Sequence, residues 1–337
     1  MGARPRIKDV AEYAGVSPKT VSNVINDFEQ VSDRTRAAVK EAIDALGYRV
    51  NIAGRQLRQG RTGMITLAVP ELDVAYFAEL AGLVMAEADR RGPTVLLHRT
   101  GGMRERELAA LRGFDARFTD GVVLSPLALN PRDLAGRDRD FPVVLLGERP
   151  AGGGTDHVAI DNVEAAREAT AHLLSRGRRR IAVIGGRAHG PQGTDRLRTD
   201  GYRKALKEAG LPFDARLVVP VDAFQWRDGA RAATTLLDSG PRPDALLCLN
   251  DHLALGALRA LHERRVSVPG TLDVVGFDDI EASRFSVPSL TTVAPDKQEI
   301  ARAAVALLLD RIAGPAEAPP RAHVVGHELI IRESTGS

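Results

Sequence analysis

The sequence predicts an all-α N-terminal domain with a helix-turn-helix, followed by a longer α/β region in which parallel sheets are covered by helices. Before residue 50, apolar side chains recur at helical spacing. From Met64 onward, short apolar runs alternate with amphipathic stretches, which is typical of parallel sheets. The chain has 337 residues, enough for two or three units, so the α/β region can form two lobes.

Composition narrows the class of protein. No apolar run approaches the roughly 20 residues that a bilayer span requires, and Met1–Arg6 is not followed by the apolar core of an export signal. The single cysteine, Cys248, lies in an apolar run and is expected to be a buried thiol. We therefore expect a cytoplasmic protein that has no membrane partner and no internal disulfide.

The net charge of +2 conceals an asymmetry between the two regions. Residues 1–62 contain 11 lysines and arginines against 7 acidic residues, whereas the remainder contains 35 against 37. The positive surplus of the first region favours a contact with phosphates. A surplus of this size would alone suit many solvated domains, so it matters only together with a motif.

The first region has the caps and spacing of a helix-turn-helix. The apolar residues of 10–14 share one face of a first helix, and Gly15 suits its end. Ser17 is a favourable N-cap for a second helix, and Pro18 fits its first position. A third helix is predicted from the cap Ser32 to Gly47. The residues expected to be buried in the second and third helices are Val21, Val24, Ile25, Val39, Ala42, Ile43 and Leu46.

The second helix of such a module can lie in the major groove of DNA, with its N-terminal residues at the base edges. On its outer face, Lys19 can donate to guanine O6 or N7, and Asn23 can pair with N6 and N7 of adenine. The alternative is a small helical bundle whose polar residues only face water. The turn, the cap and the apolar spacing favour DNA binding, because they fit the motif's geometry rather than helicity alone.

These residues also carry a resemblance to a known family. The run Ile7–Asn26 resembles the signature of the lactose-repressor/galactose-repressor (LacI/GalR) family of bacterial transcription regulators. Further matches follow in family order along nearly the whole chain: Leu46-Gly-Tyr48, Asn51, Leu57, Arg61-Thr62, Asp161-Asn162, Asn250-Asp251, Gly276-Phe-Asp-Asp279 and Pro288-Ser-Leu-Thr-Thr292. Their order makes the resemblance much more specific than any single motif.

The resemblance implies a domain organisation. It implies a helix-turn-helix DNA-binding domain over residues 1–49, a hinge helix over 50–62, and an effector-binding and dimerisation domain over 63–337. The last would have the fold of periplasmic sugar-binding proteins, with two lobes, three crossovers and a ligand between the lobes. We place the N-lobe at about 63–161 and 291–320, the C-lobe at about 162–290 and 321–337, and the crossovers near Ile160–Asn162, Leu290–Val293 and Pro319–Arg321.

The resemblance also implies which residues contact DNA. In the helix-turn-helix they are Lys8, Ser17, Pro18, Lys19, Thr20, Ser22, Asn23, Asn26 and Tyr48, and in the hinge they are Asn51, Gly54, Arg55, Leu57 and Arg58. Two such hinges of a dimer enter the minor groove together, and Leu57 matches the residue that wedges between base pairs.

The hinge departs from the family at two positions. Val50 and Gly54 stand where proline and alanine are usual. A glycine in a helix interior costs about 1 kcal/mol relative to alanine, so this hinge is expected to depend more on DNA and on its partner for folding. The alternative is a flexible tether without a role in DNA binding.

Candidate effector contacts stand where predicted strands end. Eight strands are expected between Met64–Val69 and Val274–Phe277, and in open α/β sheets ligands bind beyond the carboxyl ends of strands. The candidates combine aromatic groups, which can stack on a sugar or base, with polar groups, which can bridge adjacent hydroxyls. They are Tyr76, Phe77, Arg198, Phe224, Asn250 and Asp278.

The effector candidates have alternative roles. Asn250 and Asp278 can instead cap helices, and Tyr76 and Phe77 can be part of a lobe core. Only Arg198 matches the family's effector-binding arginine. Relatives often carry polar ligand contacts at the positions of Gly147 and Pro295, which therefore leave the identity of the effector open.

Other sites are disfavoured by spacing. Residues 185–190 lack the pattern of a phosphate loop. His323 and His327 on one strand would stand about 13 Å apart, too far to hold one metal. The arginines of 176–180 favour a solvated helix-to-strand corner over a second nucleic-acid site. With no Ser/His/Asp constellation either, we predict no cofactor, no metal and no enzyme.

The favoured hypothesis is a repressor whose dimers bind a near-palindromic operator and whose DNA affinity is controlled by a sugar, sugar derivative or nucleoside. The alternative is a solute-binding protein or sugar-processing enzyme without a DNA function. Residues 331–337 carry no leucine heptad, so we expect a homodimer rather than a tetramer.

Overall fold

The computed structural model describes residues 5–25, 28, 30–48, 61–115, 118–136, 140–147, 154–189, 193–239, 242–315 and 318–336. The chain divides into two compact units, Met1–Thr62 and Gly63–Ser337. Part of the predicted DNA contacts and the departure at Val50 lie outside the described residues. These contacts are Asn26, Asn51, Gly54, Arg55, Leu57 and Arg58.

The described part of the first unit is built from three helices. They are α1 (Ile7–Tyr13), α2 (Pro18–Ile25) and α3 (Asp33–Leu46). The apolar faces expected from the sequence meet in one core, which includes Val10, Val21, Val24, Val39 and Ala42 as buried residues. Gly47 ends α3 with a φ of +60°, a conformation that side chains with a Cβ rarely adopt.

The second unit contains two sheets, and the first of them defines the N-lobe. Among the described residues its strand order is β11-β5-β4-β3-β1-β2, with every neighbouring pair parallel. The strands are β1 (Met64–Val69), β2 (Thr94–Arg99), β3 (Val122–Leu124), β4 (Val143–Leu146), β5 (Asp156–Ile160) and β11 (Ala322–Val325).

The second sheet defines the C-lobe and has the order β12-β10-β9-β8-β6-β7 among the described residues. All pairs are parallel except β10 with β12. The strands are β6 (Ile181–Ile184), β7 (Val218–Val219), β8 (Ala245–Cys248), β9 (Asp273–Phe277), β10 (Thr291–Pro295) and β12 (His327–Ile330). Strands such as β6 and β8 are buried along their whole length, as expected for sheets covered on both faces.

Helices cover both sheets. They are α4 (Ala75–Arg91), α5 (Arg104–Leu111), α6 (Pro131–Ala135), α7 (Asn162–Ser175), α8 (Thr194–Glu208), α9 (Trp226–Ser239), α10 (Asp251–Glu263), α11 (Glu281–Phe285) and α12 (Lys297–Ala313). Short 3-10 turns cover Gly113–Asp115, Ala215–Leu217 and Glu333–Thr335. None of the helices in the described ranges is long and apolar enough to cross a bilayer.

The chain passes between the sheets three times, and two of these crossovers lie later than the sequence predicts. The first follows Ile160, as expected. The second follows Pro295 rather than Leu290–Val293, because Thr291–Pro295 pairs with β9 and stays in the C-lobe. The third is at Gly326 rather than Pro319–Arg321, because β11 continues the N-lobe sheet beside β5. The lobe boundaries expected at 291 and 321 are therefore wrong by several residues.

Candidate DNA-binding and effector sites

The outer face of α2 carries the polar residues expected to read DNA. Pro18 and Lys19 are exposed, Ser22 and Asn23 are partly exposed, and the opposite face is buried against α1 and α3. Lys19 and Asn23 are four residues apart and therefore point from the same side of the helix.

Ser17 and Thr20 hold the start of α2. The Ser17 hydroxyl accepts a hydrogen bond from the Thr20 amide at 3.1 Å, and the two hydroxyls lie 2.9 Å apart. Ser17 is thus the N-cap that the sequence predicts. Lys8 is exposed on α1, whereas Tyr48 is half-buried and packs against the core of the unit.

A cavity of about 550 Å³ lies in the second unit between residues of the two lobes. All six effector candidates line it, although they come from five separate segments of the chain. The N-lobe contributes Tyr76 and Phe77 from α4. The C-lobe contributes the others, at the carboxyl ends of its strands or at the helices that follow, where ligands bind in open α/β sheets.

Arg198 is the most constrained of these residues. It lies on α8, it is 8% exposed, and its guanidinium stacks on the Phe277 ring with 3.3 Å between the guanidinium carbon and the ring centroid. Its Nε donates to Asn162 Oδ1 at 2.7 Å, and its Nη1 donates to the Leu249 carbonyl. The remaining Nη2 lies 3.9 Å from Asp278 Oδ1, so the guanidinium is held rigidly beside the cavity.

Asp278 follows β9 and is buried at the same edge of the sheet. Burial raises the pKa of its carboxyl to about 8 and outweighs the lowering by Arg198. Its backbone has a φ of +110°, and that of Asp279 has a φ of +46°, both unusual for residues with a Cβ. A non-glycine turn of this kind persists only where its surroundings hold it.

Asn250 takes the alternative role that its position permits. Its Oδ1 accepts from the Leu253 amide at 2.9 Å and caps α10, while its Nδ2 donates to the Phe224 carbonyl at 3.0 Å. Asn250 therefore shapes the site by fixing Phe224, whose φ of +55° is also strained.

The aromatic candidates form the apolar part of the lining. The rings of Tyr76 and Phe77 meet edge to face at 5.3 Å between centroids. Tyr76 also packs against the C-lobe core, and burial raises the pKa of its phenol. Tyr76 therefore both packs against a lobe core and lines the cavity.

Glu107, which orders part of the cavity lining, was not predicted from the sequence. Glu107 is fully buried on α5, and its carboxylate accepts from the amides of Leu127, Ala128 and Leu129 at 2.8, 3.0 and 3.0 Å. These bonds order the loop whose Leu127 lines the cavity. The only available signal was an acidic residue on the buried face of an amphipathic helix.

The arginine corner has its own partners. Arg176 and Arg178 both pair with the fully buried Asp273 at 2.7 Å, and the backbone amides of Arg179 and Arg180 bind Asp244. These bonds tie the end of α7 to the C-lobe sheet. The side chains of Arg176 and Arg178 and the backbone amides of Arg179 and Arg180 therefore stabilise the fold at this corner.

The two histidines do not share a strand. His323 lies on β11 and bonds Glu299 at 2.9 Å, whereas His327 lies on β12 and bonds Glu168 at 3.2 Å. The expectation of one strand is wrong because Gly326 separates two sheets. Over the described ranges, no group of three or more potential ligands could hold a metal ion.

A reading helix joined to a two-lobed α/β unit with a cavity between its lobes defines a class of protein, the ligand-responsive DNA-binding regulators. Residues 6–51 match the family model for bacterial regulatory proteins of the lacI family, and residues 170–335 match a periplasmic binding protein-like domain. The HTH-type transcriptional repressor PurR of Haemophilus influenzae is 35% identical over 335 residues, which cover 98% of each chain.

Two solved structures agree with this assignment. A transcriptional regulator CelR–cellobiose complex is 34% identical, with a TM-score of 0.72, over 98% of this chain and 100% of that one. The lac repressor dimer bound to operator and the anti-inducer ONPF is 26% identical, with a TM-score of 0.85, over 99% and 100%.

The chain belongs to the LacI family of bacterial regulatory proteins. The resemblance and the predicted fold class are confirmed, and members of this family are transcription regulators rather than enzymes. The alternative of a solute-binding protein or sugar-processing enzyme without a DNA function is thereby excluded.

Proposed function

We propose that this regulator is a repressor that binds a near-palindromic operator as a dimer and is controlled by a small uncharged carbohydrate bound between its lobes. The observation that carries the proposal is the meeting of all six effector candidates around one cavity, in a chain whose α2 presents a polar reading face. The relatives named as repressors and the operator-bound lac repressor dimer support the DNA part.

On the DNA side, Lys19 and Asn23 are proposed to read bases, with Pro18 offering ring contact at the start of α2. Lys8, Ser17, Thr20, Ser22, Asn26 and Tyr48 are proposed as further contacts. The hinge contacts Asn51, Gly54, Arg55, Leu57 and Arg58 are proposed on the sequence alone, with Leu57 as the minor-groove wedge.

The charge of the cavity supports an uncharged effector. Its described lining contains two guanidinium groups and five carboxylic acids, and four of these acids remain to carry a negative charge at neutral pH because burial raises the pKa of Asp278 to about 8. One guanidinium, that of Arg99, is already paired with Glu71 at 2.7 Å, and the other, that of Arg198, is paired within the protein. An anionic ligand would therefore meet more acids than free cations, which disfavours a sugar phosphate.

The size and chemistry of the cavity support a carbohydrate. About 550 Å³ lies within the range of small-molecule sites. Aromatic rings beside buried hydrogen-bonding groups suit a molecule with apolar faces and several hydroxyls. The regulator CelR, which shares 34% of its sequence with this chain, was solved in complex with cellobiose.

An electrophoretic mobility-shift assay with the DNA upstream of the protein's own gene tests the DNA part. Lys19→Ala and Asn23→Ala should each weaken binding to the specific fragment by roughly 5- to 150-fold, equivalent to about 1–3 kcal/mol for a lost base contact. Lys40→Ala removes the same charge as Lys19→Ala from an exposed site on α3 and is the matched control. Equal losses for Lys19→Ala and Lys40→Ala would show that only net charge matters.

Thermal unfolding with cellobiose, glucose, adenosine and glucose 6-phosphate tests the effector part. A ligand at 100 times its Kd raises the free energy of unfolding by about 2.7 kcal/mol. We expect an uncharged sugar to have this effect. Arg198→Lys, which replaces the three guanidinium nitrogens by one ammonium nitrogen, should remove most of that stabilisation. Stabilisation by glucose 6-phosphate alone would contradict the proposal of an uncharged ligand.

A further inference from the structure

A partly buried ion pair of the N-lobe holds the turn of the C-lobe that carries Asp278. Glu79 lies on α4, and Lys297 is the first residue of α12, which packs on the N-lobe sheet. Their side chains form an ion pair, in which the Glu79 side chain is 31% exposed and the Lys297 side chain is 14% exposed. We call this pair and the backbone groups of 278–281 that it binds the clasp.

The clasp crosses from one lobe to the other twice. Lys297 Nζ donates to the carbonyls of Asp278 and Asp279 at 3.0 and 2.9 Å. Glu79 Oε1 accepts from the Glu281 amide at 2.8 Å. The Nζ group thus has three acceptors, which is the number it can serve.

The turn that the clasp holds is strained. Asp278 and Asp279 both have a positive φ, and each such residue costs of order 1–3 kcal/mol unless its surroundings stabilise it. On the C-lobe side, Asp279 is bound by Arg332 and Arg284, and the Ile280 amide donates to Asp251. On the other side of the turn, the carbonyls of Asp278 and Asp279 accept hydrogen bonds from Lys297.

The same end of α4 meets the C-lobe at neighbouring points. The Ala75 amide donates to His252 Nε2 at 3.3 Å, and Tyr76 packs against the C-lobe core. Because Ala75 and Glu79 are four residues apart, both contacts lie on one face of α4. That face therefore forms a continuous lobe-to-lobe contact at the cavity.

We propose that Glu79 and Lys297 are positioning residues that favour the closed arrangement of the lobes and, in that arrangement, hold the Asp278 carboxyl at the cavity. Neither side chain needs to touch the effector. When the lobes separate, the carbonyls of Asp278 and Asp279 lose Lys297, and the strained turn can relax. This inference rests on the proposed function only in that Asp278 is taken as an effector contact.

The lobe-to-lobe distance in the full-length protein, without effector or DNA, tests the inference. Spin labels on Glu105→Cys and Lys207→Cys, exposed positions on α5 and α8, report this distance by double electron–electron resonance. Cys248 is fully buried, so the two introduced cysteines are the accessible thiols. Dilution with unlabelled protein removes distances between subunits.

Lys297→Met and Glu79→Gln should each shift the distances to larger values. Lys204→Met is the matched control, because Lys204 pairs with Glu164 at 3.2 Å within the C-lobe. Hydrogen exchange at the amides of 278–281 should become roughly tenfold faster or more in the two clasp variants, since bonds to charged groups are lost. Glu79→Gln keeps the test decisive if Lys297→Met does not fold.

Distances and exchange rates that match the parent protein in a folded clasp variant would overturn the inference. An equal shift in Lys204→Met would do the same, because it would indicate a general loss of stability. Neither measurement uses an operator or an effector. A failed mobility-shift assay and a failed clasp test are therefore separate results.

Discussion

The carboxyl group of Asp278 lies among charges of both signs. Arg198 and Lys297 lower its pKa, Asp251 and Glu79 raise it, and the loss of water around it has the largest effect. With a pKa of about 8, the group carries a proton at neutral pH. It can then donate as well as accept a hydrogen bond, and the hydroxyls of a sugar are partners for both.

Replacing Asp278 by asparagine should change how stability depends on pH. The folded-state pKa of about 8 lies above the ordinary value of 3.8, so the stability that protonated Asp278 contributes is complete below pH 3.8 and is lost progressively as pH rises from 3.8 to 8. The asparagine variant lacks this loss. Its free energy of unfolding should rise relative to the parent by up to about 1.4 kcal/mol per pH unit between pH 5 and 8.

Urea unfolding of parent and variant at pH 5 and pH 8 measures this difference. Asp222→Asn is the control, because the Asp222 side chain is 97% exposed, and it should differ from the parent equally at both pH values. If the free energies of unfolding of the parent and Asp278→Asn differ by the same amount at pH 5 and at pH 8, Asp278 stays ionised in the folded protein.

Residue types at strand ends predict much of the candidate site, but not what each side chain binds. Arg198 could be chosen because it matches the effector-binding arginine of the family, and Asp278 because it follows a predicted strand, where it could equally have capped a helix. The cap made by Asn250 could not be distinguished from a ligand contact, since both require the same polar group at the same place. Glu79 and Lys297 could not be found at all, because 218 residues separate them in sequence.

Helices α9 and α10 approach each other closely through two glycines. A Cβ on Gly256 would lie 1.8 Å from the Trp226 carbonyl oxygen, and one on Gly229 would lie 2.0 Å from the Leu253 carbonyl oxygen. No side chain fits at either point. The spacing of α9 and α10 determines where Phe224 and Asn250, which precede these helices, stand at the cavity.

Gly256→Ala should destabilise the second unit, because α9 and α10 must move apart to admit the methyl group. Overpacking of this kind costs about 1–3 kcal/mol or more. Gly82→Ala is the matched control, since Gly82 is an exposed residue of α4 with open space around its missing Cβ. Gly82→Ala should raise the free energy of unfolding by about 0.4–1 kcal/mol. A lower melting temperature in both variants would therefore contradict the packing argument.

Elements with strong periodicity were predictable, and those defined by distant partners were not. All eight expected strands are present within two residues of their predicted ends, because buried parallel strands read as continuous apolar runs. Strands β7, β10, β11 and β12 were not predicted as separate strands. In β10 and β11, polar residues such as Thr292 and His323 interrupt the apolar pattern, and pairing with a distant strand is what makes these segments strands.

At the scale of the whole molecule, we predict that two copies of the chain form the species that binds DNA. A near-palindromic operator requires two reading helices related by a two-fold axis. Light scattering at micromolar concentration should give about twice 36.2 kDa. A tetrameric mass under these conditions would contradict the prediction, and a monomeric mass with intact operator binding would show that DNA assembles the dimer.

The passage of the chain between lobes was the feature of the whole molecule hardest to predict. The run Leu290–Val293 marks a crossover in the resemblance, yet Thr291–Pro295 forms hydrogen bonds to β9 before the chain leaves the C-lobe. Local composition does not distinguish a strand that completes one sheet from a segment that leads to the other. Only the hydrogen-bond register does.

Gly326 limits the motions that are open to the lobes. It is the single residue between β11 in one sheet and β12 in the other, and one peptide step spans about 3.8 Å. The two sheets cannot slide apart at that point, so their relative movement is restricted to rotation about axes that pass close to it. A change in the angle between the lobes would therefore give small displacements near Gly326 and the largest displacements at the parts of each lobe farthest from it.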